Sequence, residues 1–313
     1  MSGEAVVINE VGLRDGLQNQ PTQVSTDGKR RLAELLAAAG IRHMEATSFV
    51  SPKAVPQMAD AAELIACLPN PETVEYSALI PNEKGYERAI AAGVRSVNAV
   101  LSATDTMNRK NIRMSLDDMR AVCRRIIAHA REDSIYVRGY VAVAFECPYE
   151  GPVPLDKVIA LTGEMLDHGA DEVIVADTIG AANPNAVHEV FTALAARFDI
   201  KRLSAHFHDT RALALANSWA ALQAGVRRFD SSIGGLGGCP FAPGAAGNTA
   251  TEDLVLMLEQ CGYRTGIDVP RLLDAVNLAT ELTGRELGGR MLPWFLSQKK
   301  ARVGDAHASA QSG

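Results

Sequence analysis

The sequence predicts an α/β fold of the (β/α)8 TIM-barrel type with additional helices towards its C-terminal end, on three observations. Eight short runs rich in Val and Ile alternate with amphipathic stretches of helical pattern, and strands that alternate with helices imply a parallel sheet. The same helix stop recurs at Gly40, Gly93, Gly169 and Gly225, each followed within a few residues by the next apolar run. The intervals from Gly40 to Gly93 and from Gly169 to Gly225 are 53 and 56 residues; a barrel of about 250 residues carries about 31 per βα unit, so each interval holds two units. A doubly wound open sheet shares the alternation, but eight strands in succession favour closure.

In order, the strands are expected at residues 6–11, 43–49, 75–80, 96–102, 136–145, 172–178, 203–209 and 229–233. The stretch 26–39 shows the helix signals most plainly: a hydroxyl or Asp cap, Leu32, Leu35 and Leu36 along one face, and Gly40 as the stop. Beyond the eighth strand, residues 234–248 hold six glycines (234, 235, 237, 238, 244 and 247). Such a segment reaches backbone shapes closed to other residues. No Lys-Ser or Lys-Thr follows, so it is not a phosphate-cradling loop. Residues 251–260 and 269–282 read as helices, one completing the barrel and one outside it. Residues 1–300 are expected to form a single catalytic domain, and the small, polar stretch 301–313 a disordered tail.

In a barrel, chemistry belongs at the carboxyl ends of the strands and in the loops after them. The polar residues fall there. Arg14 and Asp15 follow the first strand, Glu45 lies on the second, Glu146 is near the end of the fifth, and Asp177 ends the sixth. His206 and His208 end the seventh, and Cys239 and Asn248 stand in the glycine-rich segment. Side chains two apart on a strand share a face, so His206 and His208 are placed to share one metal ion. Buried charges are costly unless paired or metal-bound. Asp15, His206, His208 and the amide oxygen of Asn248 therefore form a candidate metal shell. Imidazoles suit Zn, Fe or Ni, whereas carboxylate, amide oxygen and water suit Mg or Mn.

Composition narrows the function classes. A net charge of −6 argues against a nucleic-acid or membrane-surface role. No apolar run is long enough to span a bilayer and no signal-peptide pattern is present. The five cysteines are scattered without CxxC spacing, as suits reduced thiols in a cytoplasmic protein.

Several long motifs resemble the 3-hydroxy-3-methylglutaryl-CoA lyases: Glu10-Val11-Gly12-Leu13-Arg14-Asp15-Gly16-Leu17-Gln18-Asn19, Glu45-Ala46-Thr47-Ser48-Phe49-Val50-Ser51-Pro52-Lys53, Cys147-Pro148-Tyr149-Glu150-Gly151, and Gly235-Leu236-Gly237-Gly238-Cys239-Pro240. Arg138-Gly139-Tyr140-Val141 and Ala245-Ala246-Gly247-Asn248 join them, and the likeness runs over roughly residues 6–290. The resemblance implies a Mg- or Mn-dependent carbon–carbon lyase that splits a 3-hydroxyacyl-CoA, for the family substrate into acetyl-CoA and acetoacetate, with CoA entering as part of the substrate. It also implies a homodimer. It places the metal ligands on Asp15, His206, His208 and Asn248, the catalytic arginine on Arg14, the loop cysteine on Cys239, and supporting acids on Glu45, Asp177 and Glu10. Asp15 and His206 compete for the role of base. The cluster Arg109-Lys110-Asn111-Ile112-Arg113 resembles the segment near the coenzyme; it either meets the CoA phosphates or is a solvated turn.

Three positions depart from the family pattern: Leu13, Glu146 and Arg211. Glu146 and Arg211 put the acyl group in question, so a related branched 3-hydroxyacyl-CoA or a methylmalyl-type thioester is an alternative substrate. The Claisen-condensing synthases of isopropylmalate and citramalate share the Arg-Asp start and the His-x-His strand. Their Asp-Gly-Glu-Gln and Gly-Glu-Arg motifs are replaced here by Asp15-Gly16-Leu17-Gln18 and by Cys239-Pro240.

Overall fold

Val- and Ile-rich runs favour strands because their stiff side chains pack well on a pleated surface, and here they close on themselves. The computed structural model describes residues 3–238 and 247–298. Strands β1 (Val7–Glu10), β2 (His43–Ser48), β3 (Glu75–Ile80), β4 (Ser96–Ser102), β5 (Tyr136–Ala142), β6 (Glu172–Asp177), β7 (Leu203–Phe207) and β8 (Arg228–Ser231) form a closed barrel in sequential order. Every pairing is parallel, and closure comes from β1 lying beside β8, with Glu10 opposite Ser231. The open-sheet alternative is thereby excluded.

The helices are α1 (Thr26–Ala38), α2 (Ala61–Cys67), α3 (Glu83–Ala91), α4 (Asp105–Ile112), α5 (Leu116–Glu132), α6 (Leu155–His168), α7 (Pro184–Ala195), α8 (Ala214–Gln223), α9 (Thr251–Gln260) and α10 (Val269–Thr283). The four stop glycines adopt φ of +107°, +90°, +105° and +103° at Gly40, Gly93, Gly169 and Gly225, the left-handed region that ends a helix without a side-chain clash. The cap of α1 is Ser25, whose hydroxyl accepts the Gly28 amide at 3.2 Å. Helix α10 packs outside the barrel against α1, where the Asp268 amide donates to the Ala39 carbonyl at 2.7 Å.

Most strands end one to three residues short of expectation, and two of these ends bear on the site. β5 stops at Ala142 because Val143 turns to φ +49°; a short hairpin follows, pairing Glu146–Cys147 with Gly151–Pro152. β7 stops at Phe207, so His208 lies just past the ladder and is held by a bridge to Asn248. The tail at 301–313 lies outside the described residues. Among the described residues, no helix is long and apolar enough to cross a membrane.

The aliphatic core sits between strands and helices. The barrel interior is different. Such interiors are usually filled by Val, Ile and Leu, whereas here Asn9, Glu45, Asn98, Arg138, Glu172, Ser204 and Asp230 are buried and bonded to one another across the strands. A buried polar group is tolerable when it is paired. Most of the lumen meets that condition in two groups, Asn9, Asp230, Arg138, Glu172 and Ser204 in one and Glu45 with Asn98 in the other, while Arg138 Nη1 and Asn98 Oδ1 have no hydrogen-bond partner.

Candidate active site at the carboxyl mouth of the barrel

The chain leaves β1 in a tight five-residue π-helical turn, Gly12–Gly16. Glu10 fastens it: Oε1 accepts the amides of Gly12 and Ile233 at 2.7 and 2.9 Å, and Oε2 accepts the Thr251 hydroxyl at 2.5 Å. A Cβ on Gly12 would lie 2.6 Å from Glu10 Oε1, so only glycine fits. Burial pushes the Glu10 carboxyl up to about 7, against the pull of these three donors.

The turn delivers Arg14 and Asp15 to the mouth. Arg14 is buried and gripped from two sides: Nε and Nη2 lie 2.6 and 2.5 Å from Glu45 Oε2, and Nη1 lies 2.6 Å from Asp15 Oδ1. Glu45 Oε1 accepts the Asn98 amide at 2.6 Å. Burial alone would weaken the Arg14 cation, but the charges of Glu45 and Asp15 hold its pKa above the ordinary value. Burial would also raise Asp15; the Arg14 charge beside it outweighs that and keeps the carboxyl well below the usual range. Asp15 is thus an anion at any physiological pH.

His206 and His208 stand beside it, their ring centres 5.1 Å apart. His208 Nε2 is 3.8 Å from Asp15 Oδ2, while His206 Nδ1 is 3.1 Å from Asp230 Oδ2. Burial would lower the His206 pKa, but the bond to Asp230 raises it overall. One ligand atom from each of Asp15, His206 and His208 fits within 4.8 Å of the others, an arrangement that could hold a metal ion. Asn248 closes the group. Its Nδ2 donates to Asp15 Oδ2 at 2.8 Å, and its buried Oδ1 has no partner. An amide's two ends exchange by a half-turn, which would bring that oxygen to the Asp15 side. His208 Nδ1 is likewise buried without a partner. One carboxylate, two imidazoles and an adjacent amide oxygen suit a divalent cation.

Arg14, Asp15, His206 and His208 line a cavity of about 440 Å³. Tyr140, Thr178 and Ser102 line it nearby, and Val55, Leu79, Val100, Met107, Ile112 and Met114 make its apolar wall. Gly238, which precedes Cys239, lines the mouth and accepts the Asn19 amide at 3.0 Å; Cys239 itself lies outside the described residues. The glycine-rich segment re-enters at Gly247, where an added Cβ would lie 2.1 Å from the Gly235 carbonyl oxygen.

The HMGL-like family model matches residues 5–279. The chain belongs to this family. The hydroxymethylglutaryl-CoA lyase of Bacillus subtilis is 42% identical over 292 residues, covering 93% of this chain and 98% of that protein. A crystal structure of the B. subtilis HMG-CoA lyase superposes with a TM-score of 0.91 at 42% identity, covering 94% of this chain and 99% of the other. An HMG-CoA lyase from Acinetobacter baumannii, solved with coenzyme A and 3-methylmalate, gives 0.88 at 40% identity over 92% and 94% of the two chains.

In this HMGL-like chain the expected residues do not all converge. Arg14, Asp15, Glu45, His206, His208 and Asn248 meet at one mouth. Asp177 does not join them through hydrogen bonds: its two oxygens accept the Ala181 and Ala182 amides at 2.8 and 3.0 Å, so it shapes the loop after β6. Of the candidate CoA residues, Asn111 lines the cavity. Arg109 pairs with Asp105 at 2.6 Å, and Lys110 lies over the Tyr149 ring at 5.9 Å; neither lines it. Glu146 and Arg211, the two charged departures from the family pattern, face each other at 3.8 Å on the rim. Neither lines the cavity.

Sequence reading missed Asp230, Arg138 and Asn98, which hold His206 and Glu45 from below. The signal was polar residues at alternate positions in strands, such as Arg138 and Tyr140, where an apolar lumen is usual.

Proposed function

We propose that this HMGL-like chain cleaves 3-hydroxy-3-methylglutaryl-CoA to acetyl-CoA and acetoacetate with Mg²⁺ or Mn²⁺ bound by Asp15, His206, His208 and Asn248. The observation that carries the reading is the cluster of Asp15, His206 and His208 in the lining of the cavity, with the Arg14 guanidinium bonded to Asp15. Its relatives' names and the coenzyme A and 3-methylmalate held by the A. baumannii protein support the substrate class.

A divalent ion supplies Lewis acidity to a substrate hydroxyl and a neighbouring oxygen. The remaining work falls to the chain. A base removes the proton of the C3 hydroxyl; the new C3 carbonyl forms as the C2–C3 bond breaks, and that bond's electrons pass to the thioester enolate. Asp15 and His206 are the candidate bases, Asp15 through the carboxylate oxygen not on the metal and His206 only while its Nε2 is free of the metal. Arg14, fixed by Glu45, stabilises charge on the thioester oxygen as the enolate develops. A proton then adds to the enolate carbon, and Cys239 is assigned that delivery. Asn111 marks the coenzyme's path out of the cavity, with Arg109 and Lys110 beside it on the same helix. Residues 1–300 act as one catalytic domain. The homodimer, which rests on the resemblance, and the cytoplasmic location, which rests on the scattered cysteines, belong to the same reading.

The test is an assay with Mg²⁺ or Mn²⁺ that detects both products. Cleavage that stops with chelator and returns with added metal is the expected result. A folded, metal-loaded protein that leaves this thioester intact would reject the substrate. The second reading, a methylmalyl-type thioester favoured by the bound 3-methylmalate of the A. baumannii relative, would then be assayed. Cys239→Ser is expected to lower kcat by about 10²-fold or more, in the range of a lost proton-transfer group, with KM little changed; unaltered turnover would remove Cys239 from the mechanism.

A further inference from the structure

A neutral imidazole has one donor and one acceptor nitrogen, so whatever binds one ring nitrogen decides what the other can do. In His206 that partner is Asp230, whose Oδ2 lies 3.1 Å from Nδ1. Asp230 is 2% exposed. In the sheet it stands in register between Asn9 on β1 and His206 on β7.

Its other neighbours are all able to donate. Oδ1 accepts Asn9 Nδ2 at 2.8 Å and Arg138 Nη2 at 3.1 Å, and Oδ2 accepts the Tyr140 hydroxyl at 2.5 Å. Those donors occupy lone pairs of both oxygens and hold the carboxylate in place. The proton shared with His206 therefore sits on Nδ1, and Nε2 is left with a free lone pair on a ring that clusters with Asp15 and His208. His208 has no such support, because its Nδ1 is buried without a partner. The two histidines of the pair are held differently: His206 by a carboxylate beneath it, His208 by the bridge of its backbone to Asn248.

We infer that Asp230 is a positioning residue of the active site, fixing the tautomer and ring orientation of His206 so that Nε2 is presented as a ready metal ligand. The inference rests on the ligand set proposed above. The lumen contains a comparison residue. Glu172 is as deeply buried as Asp230 and also binds Arg138, at 2.9 Å, with Ser204 at 2.5 Å and Arg228 at 2.8 Å. No hydrogen bond or ion pair joins it to His206. A purely structural role of the network would make the two acids equivalent; positioning makes only Asp230 matter for His206.

The experiment is ¹⁵N NMR of histidine-labelled, metal-free protein at alkaline pH, with His206 assigned by its loss in His206→Gln, together with Mn²⁺ titrations of the same samples. Wild-type protein is expected to show protonated Nδ1 and unprotonated Nε2. Asp230→Asn is expected to lose that single tautomer and to bind Mn²⁺ about 10–100-fold more weakly, the usual cost of removing a ligand's outer partner. Glu172→Gln is expected to keep both the tautomer and the affinity. A wild-type His206 protonated at Nε2 overturns the inference without any variant, so a poorly folded Asp230→Asn does not leave it open. Unchanged tautomer and affinity in Asp230→Asn, or equal changes in Glu172→Gln, also overturn it. Wild-type protein that binds no Mn²⁺ would instead refute the ligand set, while the metal-free spectrum still reads what Asp230 does to His206.

Discussion

Asp15→Asn is expected to lower divalent-metal affinity by more than about 100-fold, beyond the range seen for outer partners, and to bring cleavage down with it. The reason is specific to the site. Asp15 is the one carboxylate of the proposed shell, held ionised by Arg14 at 2.6 Å and facing His208 at 3.8 Å. Asparagine keeps the shape but brings a neutral amide, whose oxygen is a weaker ligand and whose NH₂ would point at donors. It also leaves the Arg14 cation with Glu45 as its sole acid partner. Mn²⁺ titration followed by electron paramagnetic resonance, alongside kcat/KM at saturating metal, checks both parts. An affinity equal to wild type would remove Asp15 from the shell.

The second large effect is expected at Arg14. Arg14→Gln removes a donor aimed at developing oxyanion charge, a loss of about 10²–10³ in kcat. It also strands Glu45, whose side chain is fully buried; breaking a buried ion pair costs about 3–5 kcal/mol because one charge is left uncompensated. The two consequences separate in a double variant. Arg14→Gln with Glu45→Gln removes the stranded charge, so thermal stability is expected to recover while turnover stays low. Arg14→Lys keeps the charge but loses the guanidinium fork, and is expected to fall between. If the double variant recovers activity with stability, Arg14 is a structural residue.

How much of this was legible in the chain depends on the distance over which each feature is decided. The glycine stops, the alternation of strands and helices, and the placing of both histidines on one face are local, and the structure repeats them with small shifts at strand ends. The mouth residues could be proposed because the carboxyl ends of barrel strands are near one another whatever the loops do. Asp177 shows the limit of that rule. It ends its strand as expected, yet its oxygens turn to the amides of its own loop, a choice that depends on the path of residues 178–182. Arg109 and Lys110 show it again: they share a helix with Asn111 but do not line the cavity that Asn111 lines.

By itself the sequence determined the eightfold alternation, the four glycine helix stops and the membership of a lyase family, because these are written in residue spacing and motif order. Tertiary structure alone decided closure, register and the polar lumen. Asn9 and Asp230 are 221 residues apart and bond because β1 closes beside β8. Arg138 reaches Asp230 across 92 residues for the same reason. A one-residue shift in strand register would turn those side chains to the opposite face of the sheet. The His206–Asp230 pair lies between neighbouring strands, but the Asn9 bond that helps hold Asp230 exists only once the last strand has met the first.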